Sequence, residues 1–163
     1  MKMMEKERVP REAVELMALA EREPIEDALP PLDPERLADA RAGGGAAWGV
    51  TGHGVMSWSF RLVVRTAKLN IDITRPALRA LSDEAAQAQD AAEIRSVCRL
   101  AALAICRAKE GHVTRLSVTS EDAGSWSWCL EGRDLFRVGG DFAELVELLA
   151  GCDSPAPLTV EFA

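Results

Sequence analysis

The middle of the chain alternates apolar and polar residues with the two-residue period of a half-buried β-strand. The apolar positions form an even-numbered and an odd-numbered set: Phe60, Leu62 and Val64, then Leu69, Ile71 and Ile73. Because a one-residue slip moves a strand's apolar side chains to its other face, the change of parity requires a turn or a bulge between residues 65 and 68. The pattern favours two antiparallel strands over one bent strand.

The last third of the chain repeats this alternation. Its apolar positions are Leu116 and Val118, then Trp126, Trp128 and Leu130, then Phe136 and Val138, and finally Leu158, Val160 and Phe162. Turn-forming residues at 121–124 and 131–132 separate the first three stretches. The pattern therefore predicts a meander of three strands and a further strand near residue 160.

Helical periodicity separates these two groups of strands. Its apolar stripe is formed by Ile94, Val97, Cys98, Ala101 and Ile105, and Leu100 and Leu103 widen it. Such a wide stripe predicts the most buried helix of the chain, and Gly111 marks its end. The helical region begins after Pro76, and the capping pattern of Asp90 and Glu93 predicts that a fresh helix starts at Asp90.

A shorter helix is predicted after the meander. Asp141 and Glu144 repeat the capping pattern, and Gly151 ends the periodic stretch. The predicted apolar face of this helix consists of Phe142, Leu145, Val146 and Leu149. The helix precedes the last predicted strand.

Residues 1–42 differ in composition from the rest of the chain. They hold eleven acidic and seven basic residues, and they are interrupted by the proline cluster Pro24, Pro30, Pro31 and Pro34. A first helix is predicted over residues 11–22, with Val14, Met17 and Ala18 on its apolar face. Pro24 prevents its continuation.

A second N-terminal helix is predicted from three consecutive residues. Asp33 has the chemistry of an N-cap, Pro34 suits the first helical position, and Glu35 places an acid in the first turn. The three glycines from Gly43 onward predict its end. We therefore expect an acidic helical arm on a proline-rich tether over 1–42, and a globular domain over 43–163.

The elements together predict an α+β fold with a mainly antiparallel sheet and helices packed on one face. Their order, in which single helices alternate with groups of strands, resembles that of type III secretion chaperones. The resemblance covers the order of elements alone. It implies a fold type and a chaperone-like role, and it transfers no site residue to this chain.

Composition narrows the classes of function. The 163 residues carry 26 acidic and 19 basic groups, a net charge of −7, which disfavours a nucleic-acid partner. The charged N-terminus lacks the apolar stretch of a signal peptide, and the longest apolar run has seven residues where a membrane span needs about 20. We expect a cytoplasmic protein without a membrane segment. The 15 arginines, four lysines and absent tyrosine are typical of a bacterial protein.

Metal and thiol chemistry find little support in the sequence. The four cysteines and two histidines lack the repeated spacing of a metal site. In a reducing cytoplasm Cys98, Cys106, Cys129 and Cys152 are expected to be free thiols that fill apolar surroundings. We expect no metal and no cofactor.

The glycine-rich stretch over residues 43–54 is the most unusual part of the sequence. Backbone N–H groups of such loops can hold phosphates, so Gly49, Gly52, His53 and Gly54 are a candidate ligand loop. The stretch follows a predicted helix rather than a strand, and no lysine ends it, so it departs from the known phosphate-binding patterns. A flexible link with a hairpin turn is the preferred interpretation.

Two groups of residues are candidates for contact with a partner. Trp126 and Trp128 share one strand face, which suits either the core or an exposed patch, with the core favoured. Arg95 and Arg99 lie on the long helix and suit either an acidic partner or a solvated face.

The sequence therefore favours a non-enzymatic protein-binding module, such as an adaptor, a chaperone-like protein or a toxin-neutralising partner. The acidic balance, the lack of a paired general acid and base, and the proline-tethered arm all suit recognition of another protein, and a homodimer is compatible with them. The alternative is a small-ligand or enzymatic domain that uses the loop at residues 43–54.

Overall fold

The computed structural model describes residues 9–51, 59–76, 84–120, 126–132 and 135–150. Six strands form one sheet in sequence order: β1 (Gly45–Thr51), β2 (Ser59–Arg65), β3 (Leu69–Pro76), β4 (Val113–Ser120), β5 (Trp126–Gly132) and β6 (Leu135–Gly139). The helices are α1 (Arg11–Ala20), α2 (Ile25–Ala28), α3 (Pro34–Asp39), α4 (Glu84–Glu110) and α5 (Phe142–Ala150). The predicted α+β fold with a mainly antiparallel sheet is confirmed.

The change of parity between the two central sets of apolar residues corresponds to a tight turn, as predicted. β2 and β3 pair antiparallel, with Leu62 opposite Ile73. The Thr66 hydroxyl oxygen accepts hydrogen bonds from the backbone N–H groups of Lys68 and Leu69, at 3.2 and 3.1 Å. This turn allows the odd-numbered side chains of β3 to share the core face with the even-numbered side chains of β2.

A long helical crossover joins the two halves of the sheet. β3 and β4 are the parallel pair, and α4 connects them with 27 residues. The prediction of a fresh helix start at Asp90 was wrong, because α4 runs continuously from Glu84 through that position. Glu93, the other residue of the predicted cap, instead pairs with the buried Arg75, and their nearest N and O atoms are 3.1 Å apart. The predicted end is confirmed, since Gly111 follows α4 with φ of 88°.

One hydrophobic core lies between the sheet and the helices α1, α4 and α5. The side chains of Phe60, Leu62 and Ile71 from the sheet are fully buried in it. The predicted stripe of α4 is buried from Ile94 to Ala101, and Leu145 and Leu149 of α5 complete the cluster. The Asp141 side chain caps α5, because its Oδ1 accepts from the N–H of Ala143 at 2.9 Å.

A smaller cluster lies on the opposite face of the sheet, where the sequence predicted no helix. Ala47 and Val63 point to that face, and Ala40, Leu32 and Leu37 pack on them. The predicted cap of α3 is present, with Asp33 Oδ1 accepting from the N–H of Glu35 at 2.9 Å. The three helices of the main core therefore share one face, while α3 covers the other face over β1 and β2.

The first half of the glycine-rich stretch forms an edge strand. Residues Gly45–Thr51 pair antiparallel with β2 along their whole length, so the prediction of a flexible link over these residues was wrong. The segment Pro30–Leu32 runs beside the outer edge of this strand, where Val50 N–H donates to the Pro30 carbonyl at 2.9 Å. The predicted hairpin turn lies outside the described residues, as does the predicted strand near residue 160.

The N-terminal helix contributes to the main core. α1 forms as predicted, but its buried residues are Ala13, Leu16, Leu19 and Ala20. Val14, Met17 and Ala18 share one face of the helix as predicted, but this face is exposed. Ile25, after the turn, is also fully buried in the main core. The division of the chain at residue 42 stays a prediction, and the shared core argues against it.

Among the described residues, no helix combines the length and the apolar character needed to cross a membrane.

Candidate functional site

A groove of about 400 Å³ lies between α1 and α4 on the outer surface of the helical layer. Val14 and Met17 of α1 form one wall, and Leu103 and Cys106 of α4 form the other. Val9 lies at one end. We call this feature the α1–α4 groove.

The two helices run antiparallel, as the residues at their two ends show. Near the end of α1, the guanidinium of Arg95 donates to the Arg22 carbonyl at 2.8 Å. At the other end of the helix pair, Ala13 and Cys106 line the same groove. Leu16 and Ala20 pack beneath α1 into the core and hold the helix in this place. The groove is therefore a feature of two packed helices rather than of a loop.

The apolar walls of the groove face solvent. Val14 is 53% exposed and Met17 is 41% exposed, although both are large hydrophobic residues on a helix that already buries a separate stripe. Because α1 is apolar on two sides, one side packs into the core and the other remains available. Contiguous exposed apolar surface of this kind marks interaction sites in soluble proteins.

Charged groups lie at the margin of the groove, and they differ in how they are held. Arg107 is buried; its Nε donates to the Leu149 carbonyl at 3.0 Å, and its Nη1 lies 3.1 Å from a Glu110 carboxylate oxygen. Glu21, which directly follows α1, is exposed. Arg99 is exposed on α4, one helical turn before Leu103, which places it on the same side of the helix. An acidic and a basic side chain therefore flank the apolar surface.

The structure gives the predicted partner-binding residues different roles. Arg95 connects α4 to the end of α1, and its Nη2 also lies 3.9 Å from a Glu23 carboxylate oxygen. Arg99 is exposed on α4, one helical turn from Leu103 in the wall of the groove. Their role in partner binding stays a prediction.

Trp128 lies in the core, as favoured by the sequence, and not in an exposed patch. Its side chain is 3% exposed, and its Nε1 donates to the Asp141 carbonyl at 3.0 Å. Gly139 is opposite it on β6, where an added Cβ would come within 2.7 Å of the indole ring. The indole therefore links β5 to the beginning of α5. The side chain of Trp126 lies outside the described part of the chain.

Only one residue of the candidate ligand loop lies in the described part of the chain. Gly49 is in β1 with φ of 155°, and an added Cβ would lie 2.7 Å from backbone atoms of Leu32 and Pro30. The close passage of that segment explains why glycine is needed at this position. Gly52, His53 and Gly54 lie outside the described residues.

The thiols differ in their surroundings. Burial in the core raises the pKa of the Cys98 thiol to about 12, so this residue is a protonated core side chain at neutral pH. Cys106 is half-buried in the wall of the groove, and Cys129 is half-buried on β5. Cys152 lies outside the described residues. Within the described part, no group of three or more His, Cys, Asp or Glu side chains is arranged to hold a metal ion.

Comparison with known proteins adds no family to this picture. No protein-family model matches the chain, and neither a curated protein nor a solved structure matches it.

Sequence reasoning missed the α1–α4 groove although its residues were visible in the sequence. Val14 and Met17 were recognised as an apolar pair on one helix face, but no groove was predicted beside them. A second apolar stripe on α1 could have indicated which face is buried. It consists of Ala13, Leu16 and Ala20, which have the same helical spacing, and the residues at its two ends have small side chains. Small residues allow the close approach of α1 to the alanine-rich α4.

Proposed function

We propose that this protein is a non-enzymatic protein-binding module that holds an apolar segment of a partner in the α1–α4 groove. The observation that carries the proposal is the exposure of Val14 and Met17 beside Leu103 and Cys106, in a groove between two packed helices. An adaptor or chaperone-like role in a bacterial cytoplasm is the setting that we propose for it.

The energetics of the groove suit a short segment with a few apolar side chains. Burial of one large apolar side chain contributes roughly 1.5–3 kcal/mol, so two or three anchors support recognition once the cost of ordering the segment is subtracted. Met17 favours such a role, because the flexible thioether side chain adapts to ligands of different shape. The two helices form facing walls, and such a groove suits an amphipathic helix whose apolar face enters it.

The flanking charges support a particular orientation of the partner. Glu21 on one wall attracts a basic side chain, and Arg99 near the other wall attracts an acidic one. Such rim charges act mainly on the rate of association and on specificity. We therefore propose a partner helix with an apolar stripe between a basic and an acidic edge.

A selection from a displayed library of helical peptides tests the proposal without a known partner. We expect selected peptides to carry apolar residues at helical spacing and to bind the wild-type chain. Met17→Glu places a charge in the groove and is expected to weaken their binding at least tenfold, about 1.4 kcal/mol or more. Ala38→Glu introduces the same charge at an exposed site of α3 and serves as the control.

Two results contradict the proposal. One is a selection whose peptides bind Met17→Glu and the wild type equally well. The other is a rise in melting temperature with nucleotides or sugar phosphates that His53→Ala abolishes, which assigns function to the loop at 43–54 instead.

A further inference from the structure

The most exposed large hydrophobic side chains among the described residues lie on the edge strand β6. Phe136 is 62% exposed and Val138 is 61% exposed. Both point to the face of the sheet opposite the main core, since their partners on β5 are Glu131 and Cys129. The neighbouring strands carry polar side chains on that face, among them Asp72, Ser117 and Thr119. Among the described residues, the exposed large apolar side chains of this face therefore lie on the edge strand.

The two edges of the sheet differ in what lies beside them. The edge at β1 is accompanied by the segment Pro30–Leu32, with hydrogen bonds of 2.9 and 3.0 Å to and from Val50. At the other edge, no described strand lies beyond β6. A sheet edge that combines a free side with exposed apolar residues is a template for pairing with another strand.

We propose that β6 pairs antiparallel with β6 of a second copy of this chain, about a twofold axis at Arg137. In that register Phe136 lies opposite Val138 of the second copy, and Val138 lies opposite Phe136 of the second copy. The four side chains then form one apolar cluster on the same face of a continuous twelve-stranded sheet. A twofold interface requires a surface that is complementary to itself, and this short strand meets that requirement.

The charge at the proposed axis is compatible with self-pairing. Arg137 points to the other face of β6, where its Nη2 lies 2.7 Å from a Glu144 carboxylate oxygen. Two copies therefore bring together two arginine–glutamate pairs instead of two isolated cations. Because each Arg137 has a countercharge within its own chain, the charge at the axis does not oppose self-pairing, and the placement of Phe136 and Val138 on either side of Arg137 favours a second copy as the partner.

The size of the pairing predicts a modest affinity. A five-residue strand and four side chains bury less surface than a typical stable dimer, so we expect a dissociation constant in the micromolar range. Sedimentation velocity over a concentration series measures it. Val138→Lys is expected to weaken the dimer at least tenfold, whereas Met17→Glu in the α1–α4 groove leaves it unchanged.

A cross-link tests the register. Directly opposed residues in antiparallel strands have Cα atoms about 4.5–5.5 Å apart, which a disulfide can bridge. Arg137→Cys is therefore expected to give a covalent dimer under mild oxidation, while the wild type and Ala38→Cys do not. Circular dichroism verifies that each variant is folded.

Three results overturn the inference. The first is a monomer up to about 1 mM, a concentration at which even weak specific pairing is populated. The second is a dimer that Val138→Lys leaves intact. The third is a monomer whose melting temperature falls in Val138→Lys, because that result assigns the edge to a segment of the same chain, such as the predicted strand at residues 158–162.

Discussion

The guanidinium of Arg107 in α4 donates a hydrogen bond of 3.0 Å from Nε to the carbonyl oxygen of Leu149, near the end of α5. Arg107 is buried, and its Nη1 is paired with Glu110 on the same helix. One side chain thus satisfies a terminal carbonyl of α5 and lines the α1–α4 groove. The groove is therefore coupled to the packing of the whole helical layer.

We expect Arg107→Ala to destabilise the fold by about 1.5–3 kcal/mol, the range for a lost hydrogen bond to a charged group with a carbonyl left unsatisfied. Urea unfolding followed by circular dichroism measures the change. Lys109→Ala, at an exposed position of the same helix, is the control and is expected to change stability by less than about 0.5 kcal/mol. Equal effects of the two substitutions would refute the structural role of Arg107.

Adjacent residues of α1 test which face of the helix is buried. Leu16 is fully buried and Met17 is 41% exposed. Leu16→Ala is expected to cost about 2–5 kcal/mol through the cavity it leaves, and Met17→Ala less than about 1 kcal/mol. A larger loss for Met17→Ala than for Leu16→Ala would contradict the assignment of Leu16 to the buried face of α1.

The shared core also predicts the behaviour of a fragment. Residues 43–163 without α1 leave uncovered the α4 surface on which Leu16 and Ala20 pack. We expect this fragment to be insoluble, or to show a broad transition at a lower temperature than the full chain. A soluble fragment with a sharp, unchanged transition would establish residues 1–42 as a separable arm.

Burial of the Cys98 thiol links stability to pH. Its pKa is raised to about 12 in the fold, above the value of 9.0 for an unperturbed thiol. Below pH 9 the Cys98 thiol is protonated in both the folded and the unfolded state, so its contribution to stability is fully present. Above pH 9 the unfolded state loses the proton first, so stability falls by up to about 1.4 kcal/mol per pH unit toward pH 12.

Cys98→Ala isolates this contribution from that of the other thiols. The difference in unfolding free energy between wild type and variant is expected to be constant below pH 8 and to shrink as the pH rises from 9 to 11. The Cys98 thiol should also react slowly with a thiol reagent in the folded protein. A pH-independent difference, or rapid labelling of Cys98, would contradict the assignment.

The strand pattern and the caps could be predicted because local rules decide them. The parity change before Leu69 requires a turn whatever the rest of the chain does, and Asp33 and Asp141 cap helices through bonds to residues two positions away. The continuity of α4 through Asp90 could not be predicted in the same way. A capping pattern inside a long helix is indistinguishable from a true start until tertiary contacts are known.

The site was harder to predict than the fold. α1 carries two apolar stripes, and only its position against α4 decides that Leu16 is buried and Val14 exposed. The strand at Gly45–Thr51 was missed because its glycines suggest a loop, whereas Gly49 is there to allow the passage of Leu32. In both cases the structure depends on a contact between two different segments of the chain, and no pattern in the sequence indicates that these segments meet.

The methyl resonance of Met17 gives the most direct test of the α1–α4 groove as a binding site. The chain has five methionines, so methyl-labelled protein gives a simple spectrum in which Met17→Leu assigns the signal. Titration with a selected helical peptide is expected to shift the Met17 signal saturably, with no comparable shift on adding nucleotides or sugar phosphates. A Met17 signal that stays in place while the peptide binds would contradict the account.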